Sequence, residues 1–298
     1  MVTNICILVD SLSSGGAEKV ASNLSISLSK KGYAITIVSM RKDIDYDYDG
    51  TLFNFGLIKG KYNRIKSLLI FKDFFRKSKF DIIIDHRVRS NFWKELLFSK
   101  YIFYKQNVIY CIHNYELRYY FSFLEYPFIS AFPHVRNKKF VSVSFKIQNK
   151  LEKQLNIKSS AIYNYSDISK QSQGLNRADE NDFGDYIISV GRLTRIKQFD
   201  LLIKCYKDSN LSDNNIELLI LGVGPEKNNL QKQIVDLNLS NDVRLIPFRK
   251  NPYPLIKNAK VLVLQSKFEG FPMVLVCLLY TSPSPRDNIA NLVCRLLL

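Results

Sequence analysis

Short, almost wholly apolar segments alternate along the first half of the chain with longer segments of helical periodicity. The predicted strands are NICILV (4–9), AITIVS (34–39), DIIIDH (81–86), VIYCIH (108–113) and FVSVS (140–144). Between the first two, residues 16–32 repeat apolar positions with the period of an amphipathic helix, which Gly32 ends. Apolar strands separated by helices are typical of a parallel sheet that is covered on both faces.

A polar segment interrupts this pattern, and the pattern then begins again. The segment spans residues 164–185 and is rich in Ser, Asp, Asn and Gly, as domain boundaries often are. Four more strands are predicted, at YIISVG (186–191), IELLILG (216–222), VRLIP (243–247) and KVLVLQ (260–265). The sequence therefore predicts an α/β fold of two doubly wound, Rossmann-like domains that face each other across a cleft.

The expected domain limits follow from this restart. A first Rossmann-like domain is predicted over residues 1–165, a linker over 166–184 and a second domain over 185–276. A chain of 298 residues is long enough for two such domains. In doubly wound sheets, ligands bind beyond the carboxyl ends of the strands. Residues that directly follow strands are therefore the candidates for function.

Composition and charge limit the function classes. The chain is 46% hydrophobic, which excludes a disordered polypeptide, and its formal net charge is +16. Such a surface attracts nucleic acid, anionic lipid or phosphorylated substrates, or is simply a soluble basic surface. No nucleic-acid motif is visible, so no nucleic-acid partner is expected. The five cysteines form no CxxC pair, and no signal peptide or spanning helix is visible, so a cytoplasmic protein is expected.

Two segments have the pattern of a phosphate site. In VDSLSSGGAEKV, Gly15 and Gly16 separate a strand from a helix, so the helix N-terminus can face an anion. In SVGRLTRIKQF, Gly191 ends a strand, Arg192 follows it, and Lys197 stands near the start of the next helix. Two cations beside a helix N-terminus favour an anion. An ordinary turn in the first case and two solvated charges in the second are the alternatives.

Two further segments follow strands of the second half. In LGVGPEKNNL, Gly222 and Gly224 either line a nucleotide pocket or form an ordinary strand-to-helix turn. In SKFEGFPMVLV, Glu269 precedes a Gly-Phe-Pro turn and a helix. A carboxylate placed there is expected to accept hydrogen bonds from hydroxyl groups, which a sugar would supply.

These segments, in this order, resemble the retaining GT-B-fold glycosyltransferases of family 4. The motifs that match are GGAE, IYN (162–164), VGRL…K, GxGPE and NPYPLIKNAKVLVLQSKFEGFP (251–272). The resemblance implies that the first domain binds the acceptor and that the second binds a nucleotide-diphosphate sugar. It implies retaining transfer to a saccharide or lipid-linked saccharide, in cell-surface polysaccharide biosynthesis. A sugar-nucleotide epimerase of the same fold, or a basic nucleic-acid-binding protein, is the alternative function.

The resemblance also implies roles for individual residues. Arg192 and Lys197 would neutralise the donor diphosphate, which Gly16 would approach from the other domain, and Glu269 would contact the sugar hydroxyls. His113 in CIHNYE matches the active-site histidine, although a lone loop histidine is often structural. The nucleotide-sugar pocket would include Gly191, Gly222, Gly224, Gly270, Phe271 and Pro272. Catalysis would be electrostatic, with no enzymic nucleophile, metal or other cofactor.

The end of the chain departs from the family pattern. A second glutamate is expected eight positions after Glu269, but position 277 is Cys277, whose weak S–H donor cannot replace a carboxylate that binds ribose hydroxyls. The segment CLLYTSPSPRD resembles translated sequencing-adapter read-through. We therefore expect residues 277–298 to be an artefactual tail, the second domain to be incomplete, and the chain to be an inactive, poorly stable fragment. A genuine divergent tail is the alternative.

Two basic, aromatic segments of the first domain indicate where a membrane-held acceptor could be reached. Residues 59–79 hold eight Lys or Arg against one Asp, and residues 119–139 are dense in aromatic side chains and end in basic ones. Such surfaces suit docking to an anionic membrane, so a location at the inner face of the cell membrane is expected. Aromatic residues that belong simply to the core are the alternative.

Overall fold

The chain divides into two compact units in the computed structural model. They comprise Met1–Tyr165 and Ser166–Leu298. The structure describes residues 2–133, 138–165 and 183–275. Cys277, the predicted tail 277–298 and linker residues 166–182 lie outside the described residues.

The first unit is built on one parallel sheet. Its strands are β1 (Asn4–Val9), β2 (Ala34–Ser39), β3 (Thr51–Asn54), β4 (Ile82–Asp85), β5 (Val108–Ile112), β6 (Lys138–Ser142) and β7 (Ser160–Ala161). Its α-helices are α1 (Gly16–Lys30), α2 (Phe55–Lys61), α3 (Arg64–Ser78), α4 (Phe92–Leu97), α5 (Pro127–Ala131) and α6 (Phe145–Leu155), with a π-helical turn at Phe98–Ile102 and a 3₁₀ turn at Leu117–Tyr119. The strand order is β3-β2-β1-β4-β5-β6-β7. The chain adds strands outward from β1 to β3 on one side and then from β4 to β7 on the other, so the order of addition reverses between β1 and β4. The predicted doubly wound α/β fold is confirmed, and ligand sites of such sheets lie at this reversal.

Burial explains why the strands of this sheet are apolar throughout. Strand β1 lies between β2 and β4, where Cys6 pairs with Thr36 and Ile83. Five of its six residues are buried, because helices cover both faces of the sheet. Cys6 itself is a free, buried thiol that packs as a small hydrophobic residue.

Helix α3 packs through one aromatic stripe. Phe71 and Phe75 are four residues apart and fully buried, so they lie on one face of the helix. The Phe71 ring centroid is 4.4 Å from that of Phe55 and 5.4 Å from that of Phe98, and Phe75 lies 5.4 Å from Phe103. The phenylalanines of this face therefore belong to the core.

A buried network of charges joins the end of β4 to helix α4. The Arg87 guanidinium donates to Asp85 at 2.8 Å and to Glu95, on α4, at 3.0 Å, and these side chains are 0–1% exposed. Burial alone would raise the pKa of the Asp85 carboxyl, but Arg87 and Arg89 lower it below its ordinary value. The Asp85 carboxylate and the Arg87 guanidinium are therefore both charged, and each depends on its partners for compensation.

The second unit repeats this architecture on a smaller sheet. Its strands are β8 (Tyr186–Val190), β9 (Glu217–Leu221), β10 (Val243–Ile246) and β11 (Val261–Leu262), and its helices are α7 (Phe199–Lys207), α8 (Lys227–Asp236) and α9 (Tyr253–Asn258). The strand order β10-β9-β8-β11 is that of a Rossmann-like sheet. Apolar clusters cover both faces, because Ile188 and Leu219 pack on one side and Ile187 and Leu218 on the other.

Removal of Arg87 tests the buried network. Arg87→Ala removes the ion-pair partner of the buried Glu95 carboxylate and leaves Asp85 with Arg89 alone, at 3.7 Å, so we expect it to lower the free energy of unfolding by about 3–5 kcal/mol. Urea unfolding followed by the fluorescence of Trp93, the chain's one tryptophan, measures the effect in the first unit. The control is Arg76→Ala, which breaks an ion pair with Asp73 at an exposed arginine and is expected to have no measurable effect. Equal unfolding midpoints for the two variants would contradict this account.

Candidate functional site

The connection from β1 to α1 carries the first predicted phosphate segment. Gly15 is the N-cap of α1, with φ −130°, and Gly16 begins the helix. Because Gly15 has no side chain to cap the helix, the first backbone N–H groups lack a side-chain acceptor from it. The left-handed backbone of this turn falls on Ser14, at φ 48°, and not on either glycine. The phosphate contact of Gly15 and Gly16 stays a prediction.

The carboxyl ends of β4 and β5 bring two histidines together. His113, the predicted active-site histidine, follows β5, and its backbone N–H donates to the Tyr120 hydroxyl at 2.9 Å. His86 follows β4 and donates its backbone N–H to Leu8. Nδ1 of His86 lies 2.8 Å from Nε2 of His113. His86 is not among the residues predicted from the sequence, although DIIIDH and VIYCIH both end in histidine and adjacent parallel strands end at the same edge of a sheet.

His86 is buried and His113 is partly buried, and both imidazoles are neutral near pH 7. Burial lowers the pKa of His86 to about 4, although the Asp85 charge opposes this shift. Burial, His86 and Arg89 lower the pKa of His113 well below its ordinary value. Among the described residues, His86 Nε2 and His113 Nδ1 are buried without a hydrogen-bond partner.

Arg89 holds the two strand ends that carry these histidines. Its guanidinium is buried and donates to the backbone carbonyls of Asp85 at 3.1 Å, Arg87 at 2.9 Å and Cys111 at 3.1 Å. It also lies 5.1 Å from the ring centroid of Tyr120. Because Asp85 ends β4 and Cys111 belongs to β5, one side chain fixes the spacing of both strand ends.

The same cluster offers the ligand types of a transition-metal site. Ligand atoms of His86, Cys111 and His113 lie within 4.8 Å of one another. Burial, however, raises the pKa of the Cys111 thiol to about 12, so it is protonated near pH 7. The buried Arg89 cation also disfavours a dication beside it. We therefore interpret the cluster as a hydrogen-bonded histidine pair.

In the second unit, the structure joins the predicted diphosphate and sugar residues. Lys197 ends a 3₁₀ turn, Arg195–Lys197, and Gln198 adopts a left-handed backbone before α7 begins. The Lys197 ammonium donates to Oε1 of Glu269, and the two side chains are 24% and 19% exposed. Arg192 lies on the exposed surface of the same segment.

Gln265 fixes the turn that carries Lys197. Its amide Nε2 donates to the Lys197 carbonyl at 2.7 Å, and its Oε1 accepts from the Ser189 hydroxyl at 3.1 Å. The Lys267 backbone N–H donates to the Ile196 carbonyl at 2.8 Å. These bonds hold the segment after β11 against the segment after β8. Sequence reasoning placed Gln265 only as the last residue of a predicted strand.

The glycines after β8 and β9 have a packing role. A Cβ atom on Gly222 would lie 1.9 Å from the Gly191 carbonyl oxygen, and one on Gly224 would lie 2.3 Å from the Leu193 carbonyl oxygen. A Cβ atom on Gly191 would make only ordinary contacts, at 3.5 Å. The close approach of two strand-end segments therefore accounts for Gly222 and Gly224, as in a strand-to-helix turn. Their role in a nucleotide pocket stays a prediction.

The segment after Glu269 begins a helix within the described residues. Gly270, Phe271 and Pro272 form a partly buried turn, and residues 273–275 are helical. The Leu275 backbone N–H donates to the Pro272 carbonyl at 3.0 Å. Contacts of this turn with a nucleotide sugar stay predictions.

Solved structures establish the fold class. The crystal structure of the Anabaena protein HepE in complex with UDP and glucose matches with a TM-score of 0.68, at 16% sequence identity, over 94% of this chain and 78% of that chain. A structure of WaaG, a glycosyltransferase involved in lipopolysaccharide biosynthesis, matches with a TM-score of 0.64, at 12% identity, over 93% of this chain and 79% of that chain. These likenesses show the GT-B fold of glycosyltransferases.

Sequence-family models then give the family. The model described as Glycosyltransferase Family 4 matches residues 14–170, and the model described as Glycosyl transferases group 1 matches residues 173–276. Because the first of these covers more than half of the chain, the protein belongs to glycosyltransferase family 4. The predicted membership of the GT-B glycosyltransferases of family 4 and the enzyme class are confirmed, whereas retention and truncation stay predictions.

Curated relatives agree with this class. An uncharacterized glycosyltransferase of Methanocaldococcus jannaschii is 32% identical over 52% of this chain and 38% of its own length. The amylovoran biosynthesis glycosyltransferase AmsD of Erwinia amylovora is 27% identical over 91% of this chain and 77% of its own length. An N-acetylgalactosaminyltransferase of Campylobacter jejuni, named for a diphospho-undecaprenol-linked sugar substrate, is 38% identical over 30% of this chain and 24% of its own length. The chain thus spans well under half of the length of the first relative.

Proposed function

We propose that this glycosyltransferase moves a sugar from a nucleotide-diphosphate donor to a saccharide or lipid-linked saccharide, in cell-surface polysaccharide biosynthesis. The second unit binds the donor: Arg192 and Lys197 bind the diphosphate, and Glu269 binds the sugar hydroxyls. His113 is the active-site histidine of the first unit. The observation that carries the proposal is the contact between Lys197 and Glu269, which places a cation and a hydroxyl-binding carboxylate side by side.

The geometry of this contact fits a donor that has a diphosphate next to a sugar. An ammonium group has three donors, so Lys197 can keep its bond to Glu269 and also donate to a phosphate oxygen. Lys197 bonds to Oε1 of Glu269, and the carboxylate has a second oxygen that can accept from a sugar hydroxyl. The bonds of Gln265 hold the Lys197 backbone before any ligand arrives, which lowers the ordering cost of binding.

The chemistry requires charge stabilisation more than a protein nucleophile. The bond from the anomeric carbon to the diphosphate oxygen breaks, and a bond to the acceptor hydroxyl oxygen forms on the same face of the sugar. The hydroxyl proton passes to the departing phosphate oxygen. Arg192 and Lys197 stabilise the negative charge that develops on the diphosphate, and we propose that no metal ion is needed. The configuration at the anomeric carbon is retained.

Single substitutions test the diphosphate site. We expect Arg192→Ala and Lys197→Ala each to weaken binding of UDP by about tenfold or more, because each removes a charge-assisted hydrogen bond worth about 1.5–3 kcal/mol. Isothermal titration calorimetry with UDP measures the affinity. The control is Arg195→Ala, in the same turn, because the Arg195 side chain is 88% exposed.

The outcomes of this experiment separate the two interpretations of the cations. Unchanged UDP affinity in Arg192→Ala or Lys197→Ala would remove that residue from the site. A loss of affinity in Arg195→Ala as large as that in Lys197→Ala would mean that only the overall positive charge of the segment matters.

An exposed surface of the first unit fits an acceptor that is held in a membrane. We call it the aromatic–basic surface. It comprises Trp93, Tyr101, Tyr104, Phe123, Tyr126, Phe128, Phe132, Lys100 and Lys105. Phe128 is 89% exposed and Trp93 is 71% exposed, which is unusual for such large apolar side chains. No described helix is long and apolar enough to cross a membrane.

Two contacts connect parts of this surface and its border. The rings of Phe92 and Phe123 meet edge to face at 5.5 Å, and the Lys100 ammonium lies 5.6 Å from the ring centroid of Phe132. They join the segment around α4 to the segment around α5. We propose that the aromatic–basic surface docks on an anionic bilayer, with its rings at the level of the head groups and its lysines near the lipid phosphates. The name of the Campylobacter relative, which specifies an undecaprenol-linked sugar, supports an acceptor in a membrane.

Trp93 is a built-in probe for this docking. We expect its fluorescence to shift to the blue with vesicles that contain phosphatidylglycerol, but not with phosphatidylcholine alone, because the lysines require an anionic surface. The double variant Phe128→Ser, Phe132→Ser should bind these vesicles at least about tenfold more weakly, because it removes two large apolar anchors. Ile162→Ser, an exposed apolar residue outside the surface, is the control. A shift that is equal with both vesicle types would contradict docking by charge complementarity.

A further inference from the structure

The contact between His86 and His113 restricts where their protons are. Nδ1 of His86 lies 2.8 Å from Nε2 of His113, and the two rings are tilted by 26°. Two N–H groups cannot face each other at this distance, and two bare nitrogens would repel. One proton must therefore lie between the two nitrogens.

We propose that His86 is a positioning residue for His113: the neutral imidazoles share one proton and are thereby locked into the same tautomer. The inference rests on the proposed role of His113 in sugar transfer and extends it to a residue with no assigned role. Neither the family comparisons nor the sequence motifs point to His86.

The matching of tautomers follows from the atoms in contact. If His86 carries the shared proton on Nδ1, His113 has a bare Nε2, and because it is neutral its own proton is on Nδ1. If His113 carries the shared proton on Nε2, His86 has a bare Nδ1, and its own proton is on Nε2. The pair is therefore Nδ1–H in both rings or Nε2–H in both rings.

Arg89 favours the neutral form of the pair, in which one proton lies between the two rings. Arg89 anchors the strand ends on which both histidines stand, and it lowers the pKa of each. An additional proton on either ring would form an imidazolium next to the buried Arg89 guanidinium, so the neutral pair is favoured. Arg89 also holds the spacing of the strand ends, so the short contact does not depend on the histidines alone.

The pair leaves His113 one ring nitrogen for a further hydrogen bond. His86 occupies Nε2 of His113, so Nδ1 is the ring nitrogen that remains, and it is buried without a partner among the described residues. Whether this nitrogen donates or accepts depends on which ring owns the shared proton. Without His86, the His113 ring would lose its orientation and could take either tautomer.

Nuclear magnetic resonance of the chain labelled with ¹⁵N-histidine tests the proposal directly. The chain has three histidines, so His134→Gln leaves the signals of the pair alone. At pH 7 we expect each ring to show one protonated and one bare nitrogen, with the same tautomer in both rings. A nitrogen–nitrogen coupling across the hydrogen bond should connect His86 Nδ1 to His113 Nε2. Opposite tautomers, or an imidazolium in either ring, would overturn the proposal.

Variants of His86 supply the matched controls. In His86→Asn the side-chain amide stands where Nδ1 stood, so the hydrogen bond to His113 Nε2 should be kept, with the amide as its donor or its acceptor. In His86→Gln the amide stands where Nε2 stood, and in His86→Leu no polar group remains, so His113 should show both tautomers in exchange. A single His113 tautomer in all the variants that fold would show that His86 does not set it.

Failure of this inference is distinguishable from failure of the proposed function. The tautomers are read from the imidazole nitrogens without any substrate. UDP affinity, which depends on the second unit, is expected to be the same in the wild type and in His86→Asn. If no nucleoside diphosphate, UDP included, binds to the wild type, the proposed donor site fails while the tautomer result stands. If the tautomers are opposite, the pair fails while the donor site stands.

Discussion

The ionic contacts of Arg87 and Arg89 at the carboxyl end of β4 are the constraint on which the first unit depends. Two guanidinium groups lie fully inside the protein here, and a buried charge is tolerated only when partners surround it. Arg87 meets that requirement with the carboxylates of Asp85 and Glu95. Arg89 meets it with three backbone carbonyls and with the Asp85 carboxylate, 3.7 Å away. These contacts fix helix α4 and the end of β5 relative to β4. His86 and His113 follow the strand ends that these contacts fix. The same buried charges therefore determine the electrostatics of the core and the geometry of the candidate site.

Much of the fold could be predicted from the sequence, because buried parallel strands have a strong signal. The apolar runs that became β1, β2, β8 and β9 coincide with the observed strands to within a residue or two. Strand β3 was missed, because Thr51–Asn54 is short and only partly buried, so its composition resembles that of a loop. Strand β7 has two residues and no hydrophobic pattern at all. Such edge strands are defined by pairing with a neighbour, which a local pattern does not contain.

The candidate site could be predicted only where its chemistry lies within one segment. Lys197 and Glu269 were identified from their own motifs, but their contact joins residues far apart in sequence and became visible only in the structure. Gln265 and His86 were missed for the same reason, since each acts on a residue of another segment. At Gly222 the structure adds a reason for glycine that the motif does not contain: a Cβ atom there would clash with the Gly191 carbonyl oxygen, whatever role the residue has toward a ligand. The part of the site that could not be predicted consists of contacts between segments that are distant in the sequence, which residue types alone do not indicate.

Donor binding by the second unit is the central claim, and a titration of the ¹⁵N-labelled chain with UDP-glucose tests it most directly. Amide resonances report binding residue by residue and do not require turnover. We expect saturable shifts that include residues 191–198 and 265–270, and we expect Lys197→Ala to need about tenfold more UDP-glucose to reach them. Shifts that are absent, or that cluster in the first unit and persist in Lys197→Ala, would contradict the assignment of the donor site.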